Sequence, residues 1–157
     1  MKAGLNPKLL NAMLERIGEK QLTTHAMDLT TQTFTDLVEP SPELVDDQNR
    51  LRYINCHLEY LGQEGFITIR ERGRAFQRSW IELTSIGHKY LQPELAEFGQ
   101  RSMLPEVVNS IEKQILTYPE HERSEFLFEL RKAIAKNRAE LVAKLMVEVL
   151  PKLLSGS

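Results

Sequence analysis

A chain of 157 residues with 41% hydrophobic and 27% charged side chains can form one domain, or one domain with a substantial appendage, around a real core. Its formal net charge of −2 excludes a protein that coats nucleic acid by bulk charge, while leaving room for a local basic patch. The single cysteine, Cys56, excludes an internal disulfide.

Asn6 is suited to cap a helix that has Pro7 at its first position, where a missing N–H costs nothing. Leu9, Leu10, Met13, Leu14 and Ile17 follow at helical spacing, and the helix is expected to end near Gly18–Lys20. The stretch from Gln21 to Leu37 is rich in threonine and lacks a clean period. Threonine favours strands, yet Ala26, Met27, Leu29 and Phe34 also fit a short helix, which is the expectation adopted. Pro40 and Pro42 then break the chain, because each pushes its predecessor out of the helical region.

A strong helix is predicted from about Asp47 to Gly62 or Gly65, with Asp46 or Asp47 at its positive end. Leu51, Ile54, Leu58 and Leu61 form one apolar stripe. Asn49, Arg52, Tyr53, Cys56 and Tyr60 stand opposite. Phe66 to Glu71 alternates apolar and polar residues as a half-buried strand does, and Ser79 to Leu83 returns as its partner. Gly73 marks the tip between them. Thr84 or Ser85 is placed to cap a further helix through Ile86, Tyr90 and Leu91, stopped or bent at Pro93. Three more amphipathic helices are expected. The first, from about Pro105 to Leu116, carries Val107, Val108, Ile111 and Ile115; the second starts after Pro119 with Phe126, Leu127, Leu130 and Ile134; the third starts near Asn137 with Leu141, Leu145, Met146, Val149 and Leu150.

The pattern is mainly α with a small β-hairpin. Two segments sharpen it: Cys56 to Ile67 (CHLEYLGQEGFI) and Leu83 to Leu91 (LTSIGHKYL). The first resembles the end of a winged-helix recognition helix and the second the step from the last wing strand into the next helix. Joined by a short basic hairpin, they are similar to bacterial winged-helix regulators, and most of all to a poorly characterised bacterial winged-helix family of unknown function. The resemblance covers about 45 residues well. It implies a winged helix-turn-helix domain over residues 1–100, followed by a C-terminal helical region over 101–157.

The local glycines have roles in that fold. Gly65 is expected to turn the helix directly into a strand, and Gly87 to let the next helix approach the sheet closely. The charge distribution follows the same division. Residues 1–46 carry four Lys/Arg and seven Asp/Glu, residues 48–92 seven and four, and residues 102–157 eight of each, so the positive excess lies in the resembling segment.

If the resemblance extends to DNA binding, the helix from Asn49 to Tyr60 enters the major groove of double-stranded DNA. Asn49 and Arg52 then meet base edges with Tyr53 beside them, while Arg70, Arg72, Arg74 and Arg78 reach phosphates or the minor groove. The alternative is a solvated hairpin on a non-enzymatic adaptor that contacts protein within a larger bacterial assembly, favoured by the neutral, aromatic helix face. The apolar C-terminal helices point to a homodimer through residues 104–154, with Phe126, Leu130, Leu141, Leu145 and Val149 at its interface; a three-helix cap closing one core is the plainer reading.

The four histidines are scattered without metal-ligand spacing, and Cys56 reads as a half-buried thiol or, with Arg52 one turn earlier, a redox-sensitive one. No Gly-rich phosphate loop, GxSxG or HExxH motif appears, so no catalytic residue and no cofactor is assigned. The single cysteine suits a reducing cytosol, and with a charged N-terminus and no long apolar run a cytoplasmic protein without a membrane span is expected.

Overall fold

The structure, a computed structural model, describes residues 4–23, 28–71, 78–93, 113, 118–138, 140–142 and 144–145. The helix expected from Pro105 to Leu116 lies outside these residues except for Lys113, as do Met146, Val149, Leu150 and the hairpin tip at Gly73. The described part is mainly helical with an antiparallel hairpin. Contacts cluster into two compact units, Met1–Gly87 and His88–Ser157.

In the first unit, helix α1 spans Pro7–Thr23. The Asn6 side-chain oxygen accepts from the backbone N–H groups of Lys8 (3.0 Å) and Leu9 (3.4 Å), satisfying two of the donors that a helix start leaves over. Leu9, Leu10, Met13, Leu14 and Ile17 are all buried, as their spacing predicts. The helix runs through Gly18, the predicted stop, because one glycine costs only about 1 kcal/mol and five buried side chains outweigh it.

The threonine-rich stretch corrects the expectation of a single short helix. Asp28–Thr30 is a strand, β1, followed by a 3₁₀ helix over Thr31–Leu37 that buries Phe34 completely. A second 3₁₀ turn, Pro42–Leu44, precedes helix α2, Asp47–Gln63. Strand β2, Ile67–Glu71, and strand β3, Arg78–Leu83, pair antiparallel with Ile67 opposite Leu83 and Ile69 opposite Ile81. β1 pairs with the other edge of β3, Leu29 opposite Ser79, giving a three-stranded sheet in the order β1-β3-β2. The core of this unit is α1, Phe34, the inner face of α2, and Phe66, Ile67, Ile81 and Leu83.

Two predicted glycine roles hold. α2 ends in a Schellman motif: Phe66 N–H donates to Leu61 C=O (2.9 Å), Gly65 N–H to Gly62 C=O (3.1 Å), and Gly65 takes the left-handed conformation at φ +83°. The chain thus passes from helix to strand within two residues. Helix α3, Ser85–Leu91, is capped by Thr84, whose hydroxyl accepts from Gly87 N–H (3.2 Å) and donates to the Gly65 carbonyl. A Cβ on Gly87 would stand 2.3 Å from the Phe66 carbonyl oxygen, so only glycine fits.

In the second unit, helix α4 spans Glu120–Ala135, starting after Pro119 as predicted. Phe128, Leu130, Ala133, Ile134 and Ala135 are buried, and the Phe128 ring lies 5.5 Å from that of Tyr90. Asn137, at φ 57°, terminates α4 in a second Schellman motif, with Arg138 N–H donating to Ala133 C=O (2.9 Å). Residues 140–142 and 144–145 are helical.

Candidate nucleic-acid interface

α2 carries most of the candidate site. Asp46 caps it, its carboxylate accepting from Gln48 N–H at 3.1 Å. The helix buries Ile54, His57, Leu58 and Leu61, an i, i+3, i+4, i+7 set, while Leu51 is half-buried. Rotation about the axis then leaves Asn49, Arg52, Asn55, Cys56, Glu59 and Gln63 exposed. Tyr53 and Tyr60 are half-buried.

The arginines divide into engaged and available groups. Arg16 makes a two-pronged contact with Asp36 (2.5 and 2.8 Å), tying α1 to the first 3₁₀ helix. That hydrogen bond holds the Asp36 carboxyl below the usual carboxylate range and raises Arg16. Arg50 reaches the Leu44 carbonyl (3.2 Å) and Asp47 (3.6 Å). Asn49 and Arg52, and Arg70 on β2, are exposed and have no hydrogen-bond or ion-pair partner among the described residues. The side chain of Arg78, on β3, and all of Arg72 and Arg74 lie outside the described residues.

Sequence reasoning missed one residue. His57 is completely buried, and both ring nitrogens are used. Nε2 accepts from Asn6 N–H at 2.9 Å, and Nδ1 lies 2.7 Å from the Tyr53 carbonyl. A carbonyl only accepts, so Nδ1 carries the proton and the ring is neutral. The Tyr53 ring meets it edge-on, 4.4 Å between centroids, which leaves Tyr53 only partly available to an external partner. Burial pushes the His57 imidazole below its ordinary value, against the opposing effect of the Tyr53 carbonyl. The signal was present: residue 57 falls within the buried stripe, next to Leu58.

Of the residues expected at a dimer interface, Phe126, Leu141 and Leu145 are half-exposed. Leu130 is different: it is 1% exposed, its side chain already covered within the chain. Val149 lies outside the described residues. Arg138, Glu140, Leu141 and Lys144 line an open groove in this unit. Among the described residues, no three His, Cys, Asp or Glu side chains come together in a metal-binding group, and no helix is long and apolar enough to cross a membrane. Cys56 is an exposed free thiol. Comparison with protein-family models, curated proteins and solved structures finds no match of any of the three kinds.

Proposed function

We propose that the first unit is a winged-helix DNA-binding module and that the chain acts as a transcriptional regulator. One observation carries the reading. Asn49, Arg52 and Arg70 are exposed without an intramolecular partner among the described residues, whereas Arg16 and Arg50 are engaged. Asn and Arg are the side chains that read adenine and guanine edges in pairs of hydrogen bonds. The element order supports it too: helix, strand, two short 3₁₀ helices, helix, then a hairpin whose returning strand is central in the sheet. In this arrangement α2 is the reading helix and the basic hairpin between β2 and β3 the wing.

The chain acts as a homodimer in this proposal, joined through its C-terminal helices, where Phe126, Leu141 and Leu145 are half-exposed. Two-fold symmetry then presents two reading helices to a pseudo-palindromic site. A protein-contact adaptor is the second reading, favoured by the exposed face of α2, on which Arg52 is balanced by Glu59.

Duplex binding across a salt series separates them. Three or four phosphate contacts per module give a log–log slope near about −3, from roughly −0.9 per phosphate. Replacing Arg72 and Arg74 by Ala should flatten that slope by about 2. No duplex binding at low salt would remove the DNA reading and leave the adaptor.

A further inference from the structure

We propose that Asn6 and His57 form a proton-sensitive latch that holds the start of α1 against α2 only while the imidazole is neutral. This inference is independent of what the exposed face of α2 binds.

The geometry permits one protonation state. Asn6 N–H donates to Nε2 across 2.9 Å, and Nδ1–H donates to the Tyr53 carbonyl across 2.7 Å. A second proton can enter only at Nε2, the nitrogen that faces the Asn6 N–H. Two donors would then oppose each other in a site from which water is excluded, since His57 is completely buried. The acceptor is lost at a sensitive point. Asn6 is the residue whose side chain caps α1, so one residue carries both the helix cap and the contact to α2.

Among the described residues, no nearby charge is placed to stabilise the protonated ring. α2 packs against α1, both 3₁₀ helices and β2. On those elements Arg16 is held by Asp36, and Lys8 by Glu39 in the linker that follows; Glu43 and Arg70 are exposed. On α2 itself, Asp47 pairs with Arg50, while Arg52 and Glu59 are exposed. The proton affinity of the ring is governed by burial, which lowers it, and by the Tyr53 carbonyl, which raises it.

The sign follows from linkage. The folded-state imidazole titrates below the ordinary 6.5, so in the window beneath 6.5 the unfolded chain binds more protons than the folded one. Stability is unaffected by this group above the window and falls as pH drops through it. The drop is up to about tenfold in the folding equilibrium per pH unit.

Denaturant unfolding of the full chain and of His57→Gln, from about pH 7.5 to about pH 5, tests the latch. Glutamine keeps an acceptor for Asn6 N–H but does not titrate. The stability difference between the two proteins should be constant above pH 6.5 and shift against the wild type below it, since only the wild type loses stability through this group. Parallel curves throughout would overturn the proposal. Nitrogen-15 spectra of the wild type provide a measurement that survives if the variant fails to fold. They should show the Nδ1–H tautomer near neutral pH, with the Asn6 amide resonance shifting at the same midpoint as the ring. An Nε2–H tautomer, or an Asn6 amide indifferent to the ring's titration, would equally dismiss it.

Discussion

Gly87 and Thr84 show how much of this fold depends on single atoms. The Phe66 carbonyl accepts from Thr84 N–H at 3.0 Å, and α3 starts close enough that a Cβ on Gly87 would collide with that oxygen. The obstacle is backbone, which cannot swing aside as a side chain can. Gly87→Ala should therefore cost about 1–3 kcal/mol, measured as a lower denaturation midpoint with an unchanged denaturant slope. A variant as stable as the wild type would mean that α3 shifts freely. His57 carries a different lesson at the same scale: a residue that reads as an isolated polar side chain is part of the core because both of its nitrogens find partners.

Elements here are defined at their ends as much as by their stripes. α2 is closed by the Asp46 carboxylate at one end and by the Gly65 turn at the other, and both signals are local to the sequence. Asp46→Ala should cost about 1 kcal/mol, seen in thermal or chemical unfolding, with Asp46→Asn recovering most of it. Failure of asparagine to recover it would assign the effect to charge at the helix start rather than to the cap. The threonine-rich segment had no such local signal. Asp28–Thr30 became a strand because the outer edge of β3, about fifty residues later, offers its backbone a hydrogen-bonding partner, and Thr31–Leu37 became helical where Phe34 could turn inward.

On the scale of the whole molecule, the two units have different relations to the proposed function. The first carries the polar helix face and the basic hairpin. The second carries half-exposed Phe126, Leu141 and Leu145, from which association of two chains is expected. Light scattering at micromolar concentration should return about twice the chain mass of 18.1 kDa. A mass of one chain would dismiss the dimer while leaving the duplex-binding experiment to decide the first unit on its own.

The winged-helix resemblance rested on two short segments, and their glycines and cap perform the local tasks expected of them. The start of α1 and its buried stripe, the positions of α2, α3 and α4, the caps at Asn6, Asp46 and Thr84, and the β2–β3 hairpin were legible, because each depends on residues within a few positions of one another. Legibility of the candidate site stopped at residue type: Asn49, Arg52 and the hairpin arginines stood out as polar and basic, but not as available or engaged. Only the tertiary structure separated Arg52 and Arg70 from the paired Arg16 and Arg50, covered Leu130, and turned Asp28–Thr30 into a third strand. It also joined His57 to Asn6, 51 positions away. The physical reason is the same in each case. Periodicity and capping are properties of a chain segment, whereas burial, strand pairing and ion pairing depend on partners that folding brings from elsewhere in the chain.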